Sequence, residues 1–237
     1  MDTLTRRDVH LLVSGLLLFE ASLVILFLLE CALGSPFWFV RRLVDLDGEQ
    51  SIAAWFSSIQ LCAVGVVLLL KARRPGALAP LGRGFLAVLG LAFVFLSADE
   101  ALSLHEALTA GLARYGWLPR FEGGHGIWIT LYLAAGCAFL LVSISRLRFL
   151  WRHFRGPSVR VAGGLVVFVS GAVGVEVIGY GLAQAATLLQ QSLAIACEEW
   201  LEMAGITLVL AGALGLWREE ITPVPVAPEG RHPAQLG

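Results

Sequence analysis

Charge is scarce in this chain. Only 15% of its 237 residues are Asp, Glu, Lys or Arg, where a soluble domain carries about 25%. There is no basic excess either. Lys and Arg number 17 against 18 Asp and Glu, a net charge of −1, which argues against a nucleic-acid partner. Cysteine is sparse and scattered. Cys31, Cys62, Cys137 and Cys197 each lie alone in an apolar segment, with no CxxC pair. They read as small apolar packers rather than a zinc or disulfide framework. No Lys or Arg falls deep inside a long apolar run. The alternation of barrel strands is missing too, which leaves helices as the only way to cross a membrane.

What is present is apolar. Hydrophobic residues make up 57% of the chain, and mean hydropathy is +0.79. A soluble fold of this size could not bury so much apolar surface, and a disordered chain would not carry it. A hydrocarbon core about 30 Å thick needs roughly 20 residues of helix. Six stretches qualify, near 9–33, 51–70, 84–110, 125–145, 160–186 and 192–217. The first follows Arg6 and Arg7 as a signal peptide would. Its length, Glu20 and the lack of a small-residue cleavage site make it a retained helix. The expected fold class is all-α: a polytopic membrane bundle of six helices over residues 1–217. Residues 218–237, with four prolines, are expected to form a disordered tail.

Positive charge predicts the orientation. Thirteen of the 17 basic residues fall at the N-terminus, in the second and fourth loops and in the tail. Arg41, Arg42, Arg114 and Arg120 are the four on the other side. Both termini are therefore expected in the cytoplasm, with the protein in a cell membrane, the inner membrane if the source is bacterial. Trp38 and Trp117 suit the outer aromatic belt, and Trp151 and Trp217 the inner one. Gly163, Gly164, Gly171, Gly174 and Gly179 mark the fifth helix as a close-packing one.

Half of the acids break the apolar pattern. Ionisable groups inside a span cost about 2.5–3.5 kcal/mol each on insertion scales, so they default to functional candidates. Here they are Glu20 and Glu30 in the first helix, and Asp99, Glu100, His105 and Glu106 in the third. Glu176 lies in the fifth helix, Glu198, Glu199 and Glu202 lie in the sixth, and His125 opens the fourth. At 1.5 Å per residue Asp99 lies about 23 Å along its helix, in the outer half. The remaining groups, apart from Glu20 near the midplane, fall in the same outward-facing layer. On one continuous helix Asp99, Ser103 and Glu106 would share a stripe, and Glu198 and Glu202 share another. The expected site turns these stripes toward each other, with Glu176 nearby. Glu20 and Glu30 read more simply as hydrogen-bonding packers.

Such a cluster cannot be fully ionised without counter-charge, and no Arg or Lys supplies it. Protons, a metal or water must. Carboxylates with histidine suit zinc, iron or manganese. That chemistry makes Asp99, His105, Glu106, His125, Glu198, Glu199 and Glu202 candidate ligands, and Glu100, Glu106 and Glu176 candidate catalytic acids or bases. The leading reading is a metal-dependent enzyme acting on a lipid or a quinone-like molecule. No diagnostic metal spacing is present. The one Glu-x-x-His pair is Glu122 to His125, across two glycines. The alternative is a proton- or cation-coupled transporter. Against it, the acids fall late in the third helix and early in the sixth, as an inverted repeat would not place them. An accessory subunit whose acids only pair is the third reading. His105 and His125 as haem ligands are disfavoured by the surrounding acids. Expected partners are membrane lipids and a lipid-soluble molecule or cation.

The run Asp99-Glu100-x4-His105-Glu106, after Leu96-Ser97-Ala98, resembles a helix of uncharacterised multi-pass bacterial membrane proteins. Glu198-Glu199-x-x-Glu202 matches more loosely. The resemblance implies a membrane bundle in which these residues belong together, and it carries no activity.

Overall fold

The computed structural model describes residues 4–34, 38–74, 80–120, 126–175, 177–178 and 187–219, all helical or in short connections. The helices are α1 (Arg6–Ala32), α2 (Trp38–Val44), α3 (Ile52–Arg73), α4 (Pro80–Leu102), α5 (Leu104–Leu112), α6 (Ile127–His153), α7 (Arg155–Val169) and α8 (Leu188–Arg218). A π-helical segment, Ser170–Val175, extends α7. Among the described residues six helices are long and apolar enough to cross a membrane. The fold is a membrane-type helical bundle.

Local chemistry sets where the long helices begin. Thr5 and Asp8 form a reciprocal capping box at α1, and Thr187 and Gln190 form one at α8. Each box satisfies backbone N–H groups that the first turn leaves open. Ser51 Oγ accepts from Ala54 N at 3.2 Å and starts α3. At the other end of that helix Lys71 is only 1% exposed. Its Nζ donates to the Glu219 carbonyl at 2.7 Å. The charge thus meets the negative end of α8 and caps its last turn.

The core lies where α3, α4, α7 and α8 meet. Val64, Leu68, Leu86, Ile206, Val209 and Leu214 are buried there, with Phe154. In lipid the gain comes from close packing, and small residues permit it. A Cβ on Gly65 would stand 2.8 Å from the Gly90 carbonyl, so α3 and α4 touch backbone to backbone. A Cβ on Gly205 would stand 2.5 Å from Phe168 N and 2.8 Å from the Gly164 carbonyl, joining α8 to α7. Of the fifth-span glycines, Gly164 and Gly171 meet α8. Gly163 and Gly174 face open space, and Gly179 lies outside the described residues. All four cysteines are free and exposed on the bundle surface.

The expected third span, 84–110, is not one helix. It breaks at Ser103, which takes the left-handed conformation at φ 50°. α4 ends at Leu102, and α5 is a separate short helix beyond the spanning segment. The stripe that would align Asp99, Ser103 and Glu106 is interrupted there.

Candidate functional site

One end of the bundle gathers the acids and His105. The connection from α2 to α3 enters this layer because Leu46 anchors it. Leu46 is buried among Leu23, Phe27, Ala53, Ala196 and Met203. Tight turns follow, with Gly48 N donating to the Asp45 carbonyl and Ser51 N to the Gly48 carbonyl. They bring Glu49 over the break between α4 and α5. There the Ser103 hydroxyl donates to Glu49 Oε2. Ser103 precedes α5 but gives it no side-chain cap. The hydroxyl that would serve the helix is committed to Glu49.

Asp99 sits behind His105. Its carboxylate is nearly buried, at 6% exposure. Oδ1 accepts from the Tyr132 hydroxyl at 3.0 Å. Oδ2 lies 3.4 Å from His105 Nδ1. The other imidazole nitrogen, Nε2, lies 3.9 Å from Glu49 Oε1. Trp128 closes one side, its ring edge-on to His105 with centroids 5.2 Å apart. Trp128 is itself held at the start of α6, where its backbone N–H donates to Thr109 Oγ1 at 3.3 Å.

Glu49, His105 and Glu106 each offer one ligand atom, and the three atoms lie within 4.8 Å of one another. Metal–ligand bonds of about 2.0–2.2 Å need ligand atoms somewhat closer together. The half-exposed side chains can supply that small inward rotation. Asp99 lies against Nδ1, where a carboxylate would fix the tautomer that leaves Nε2 free to bind.

Electrostatics follow from the crowding. Desolvation works against protonation of His105. The Asp99 acceptor and the charges of Asp99, Glu49 and Glu100 outweigh it, and the imidazole pKa is raised. Asp47 is pushed up by desolvation within the layer, then by Asp45, Glu106 and Glu49. Glu199 on α8 interacts by charge with Glu100, Glu198, Asp47 and Glu49, which ties α8 to the cluster. The Glu198 carbonyl and Glu202 Cγ lie instead against Gly171, in the π-helical segment. Glu199 is within charge reach of Glu100 and stands about 100° around the helix from Glu198. Glu176 and His125 lie outside the described residues.

Glu49 was missed as a site residue by sequence reasoning. It lies in the acidic loop Asp45-x-Asp47-Gly48-Glu49, which resembles half a calcium loop and reads as solvated. It lies outside the spans, where an acid carries no insertion cost to mark it. Tyr132 and Trp128 carry no signal of their own in the sequence, and Ser103 reads only as a member of the Asp99–Glu106 stripe. A pocket of about 270 Å³ adjoins Glu49, lined also by Gln50, Ser51, Ala54, Trp55, Ser58 and Ala101.

Six membrane-length helices among the described residues, with an acid–histidine cluster at one end, define a multi-pass membrane protein. The chain belongs to the family of the domain of unknown function DUF8692, which matches residues 11–215. No curated protein and no solved structure matches it.

Proposed function

We propose that the cluster is a divalent-metal centre of a membrane enzyme, with Glu49, His105 and Glu106 as ligands and Asp99 orienting His105. The convergence of those three side chains is the observation that carries this reading. The distribution of Lys and Arg supports an outward-facing site with both termini in the cytoplasm. A bound metal would supply an activated water at neutral pH. Glu100, within electrostatic reach of His105 and Glu49, would be the group that exchanges protons there. The pocket beside Glu49 has room for a polar head group, and Trp55, 64% exposed, forms its wall on the bundle surface. That placement favours a lipid or quinone-like substrate that enters from the bilayer.

Metal analysis of the purified protein tests the proposal. About one zinc, iron or manganese per chain is expected, lost in His105→Ala and in Glu49→Ala. Metal-free protein whose thermal stability ignores a chelator overturns it.

The break at Ser103 favours a second reading, a cation-coupled carrier, because transporters build ion sites at interrupted helices. Proteoliposomes separate the two readings. Cation flux abolished by Glu100→Gln, with no chemical turnover of lipid, would replace the enzyme by the carrier.

A further inference from the structure

Glu20 lies on α1, far from the acid–histidine cluster and closed off from solvent. It is 0% exposed, as is Thr207 on α8, and Gln60 on α3 is 3% exposed. Among the described residues the three side chains bond only to one another. Gln60 Nε2 donates to Glu20 Oε1 at 2.9 Å and to Thr207 Oγ1 at 2.6 Å. The Thr207 hydroxyl donates to the same Glu20 Oε1 at 2.6 Å.

This pattern is lopsided. Glu20 Oε1 receives two donors and Oε2 receives none. Gln60 Oε1 is likewise buried with no partner. An ionised carboxylate spreads its charge over both oxygens and needs donors on both. Among the described residues no charged side chain acts on Glu20, and its neighbours on α3 and α8 are neutral. A neutral acid fits this asymmetry: one oxygen is a carbonyl that accepts twice, and the other is a hydroxyl that asks for an acceptor and no donor. The two orphaned oxygens are the other halves of the groups joined by the 2.9 Å bond. Turning the amide over does not remove the need. It sets two oxygens against each other at that distance, again calling for a proton between them.

We infer that Glu20 is a proton-binding site, its carboxyl held as the neutral acid with the Oε2 hydroxyl donating to Gln60 Oε1. The resulting acid–amide pair, with Thr207, locks α1, α3 and α8 together within the membrane. Glu20, Gln60 and Thr207 bond to none of the proposed metal ligands among the described residues, so this proton is held apart from the proposed metal. The rival occupant is a sodium ion. It would neutralise an ionised Glu20 and take Gln60 Oε1 and Ser57 Oγ, a further buried oxygen without a partner one turn earlier on α3.

Infrared difference spectra of the full chain, wild type minus Glu20→Gln, decide between them. The preparation is sodium-free at neutral pH, with sodium chloride then added. The expected result is the carbonyl stretch of a protonated carboxyl, shifted in heavy water and indifferent to sodium. Absence of that band, or its loss on adding sodium, overturns the inference. Stability gives the second reading. Glu20→Gln keeps an acceptor and supplies an N–H for Gln60 Oε1, so its thermal midpoint should match the wild type, while Glu20→Ala falls well below. A Glu20→Gln midpoint as low as that of Glu20→Ala overturns it. Gln60→Leu removes the acceptor and should move the acid band to higher wavenumber. An unmoved band counts against the pair.

Discussion

The glycine-lined contacts and the acid–histidine end of this bundle obey opposite rules. Where α3 meets α4 and α7 meets α8, helices run unbroken and backbones touch at Gly65, Gly90, Gly164 and Gly205. At the other region the helices are interrupted. α4 stops at the left-handed Ser103, α6 starts from the left-handed Gly126, and α7 passes into π-helix at Ser170. Each irregularity adjoins a polar group. Ser103 donates to Glu49, the backbone N–H of Trp128 at the start of α6 donates to Thr109, and Gly171 lies against the acidic turn of α8. Irregular backbone at membrane depth persists only where protein groups or water satisfy it. A non-glycine left-handed residue costs about 1–3 kcal/mol that surrounding structure must offset. The close contacts supply that rigidity, and the interrupted end spends it on holding side chains in place.

The comparison breaks most visibly at Gly205. Gly205→Leu would drive a side chain into Phe168 N, 2.5 Å from the first added atom. The cost should be about 3 kcal/mol or more, at the upper end for overpacking. Thermal unfolding in detergent reads it. A wild-type midpoint would mean that α7 and α8 are not locked by this contact. Asp99→Asn should do the reverse. The isosteric amide keeps the packing and still accepts from Tyr132, so the midpoint moves little. Metal affinity should fall about 10–100-fold, as for other groups that orient a metal-bound histidine. Isothermal titration with zinc measures it. Unchanged affinity removes Asp99 from the site.

The two regions were not equally legible in the sequence. The bundle follows from hydropathy, because lipid demands long helices and leaves few alternatives. The acid–histidine helix is marked by the cost of placing Asp99, Glu100, His105 and Glu106 in an apolar run. The break at Ser103 is not marked. A serine carries no strong signal for a positive φ, and only Glu49, distant in sequence, makes that conformation worthwhile. Glu49 itself hid in a loop where acids are ordinary. Its role depends on Leu46 pinning the loop, a contact that spans more than a hundred residues to Ala196 and Met203. Glu20 reads in sequence as a simple packer. The pairing with Gln60 and Thr207 depends on how α1, α3 and α8 rotate against one another.

The smallest effect expected comes from Tyr132→Phe, and it tests how far the ordered end depends on a single bond. The phenol donates one hydrogen bond, 3.0 Å long, to Asp99. Its ring also stacks edge-on with Trp128, at 5.6 Å between centroids. Phenylalanine keeps the ring contact and removes only the donor. A hydrogen bond to a charged carboxylate is worth about 1.5–3 kcal/mol net, and the low end, for this half-buried phenol, is roughly tenfold in an equilibrium constant. Asp99 would still face His105, so metal affinity should weaken about that much and no more, with the thermal midpoint close to wild type. A loss as large as that of Asp99→Asn would show that Asp99 cannot hold the imidazole without the phenol. The site would then be a chain running from α6 through α4 to α5, and not a histidine with one supporting carboxylate.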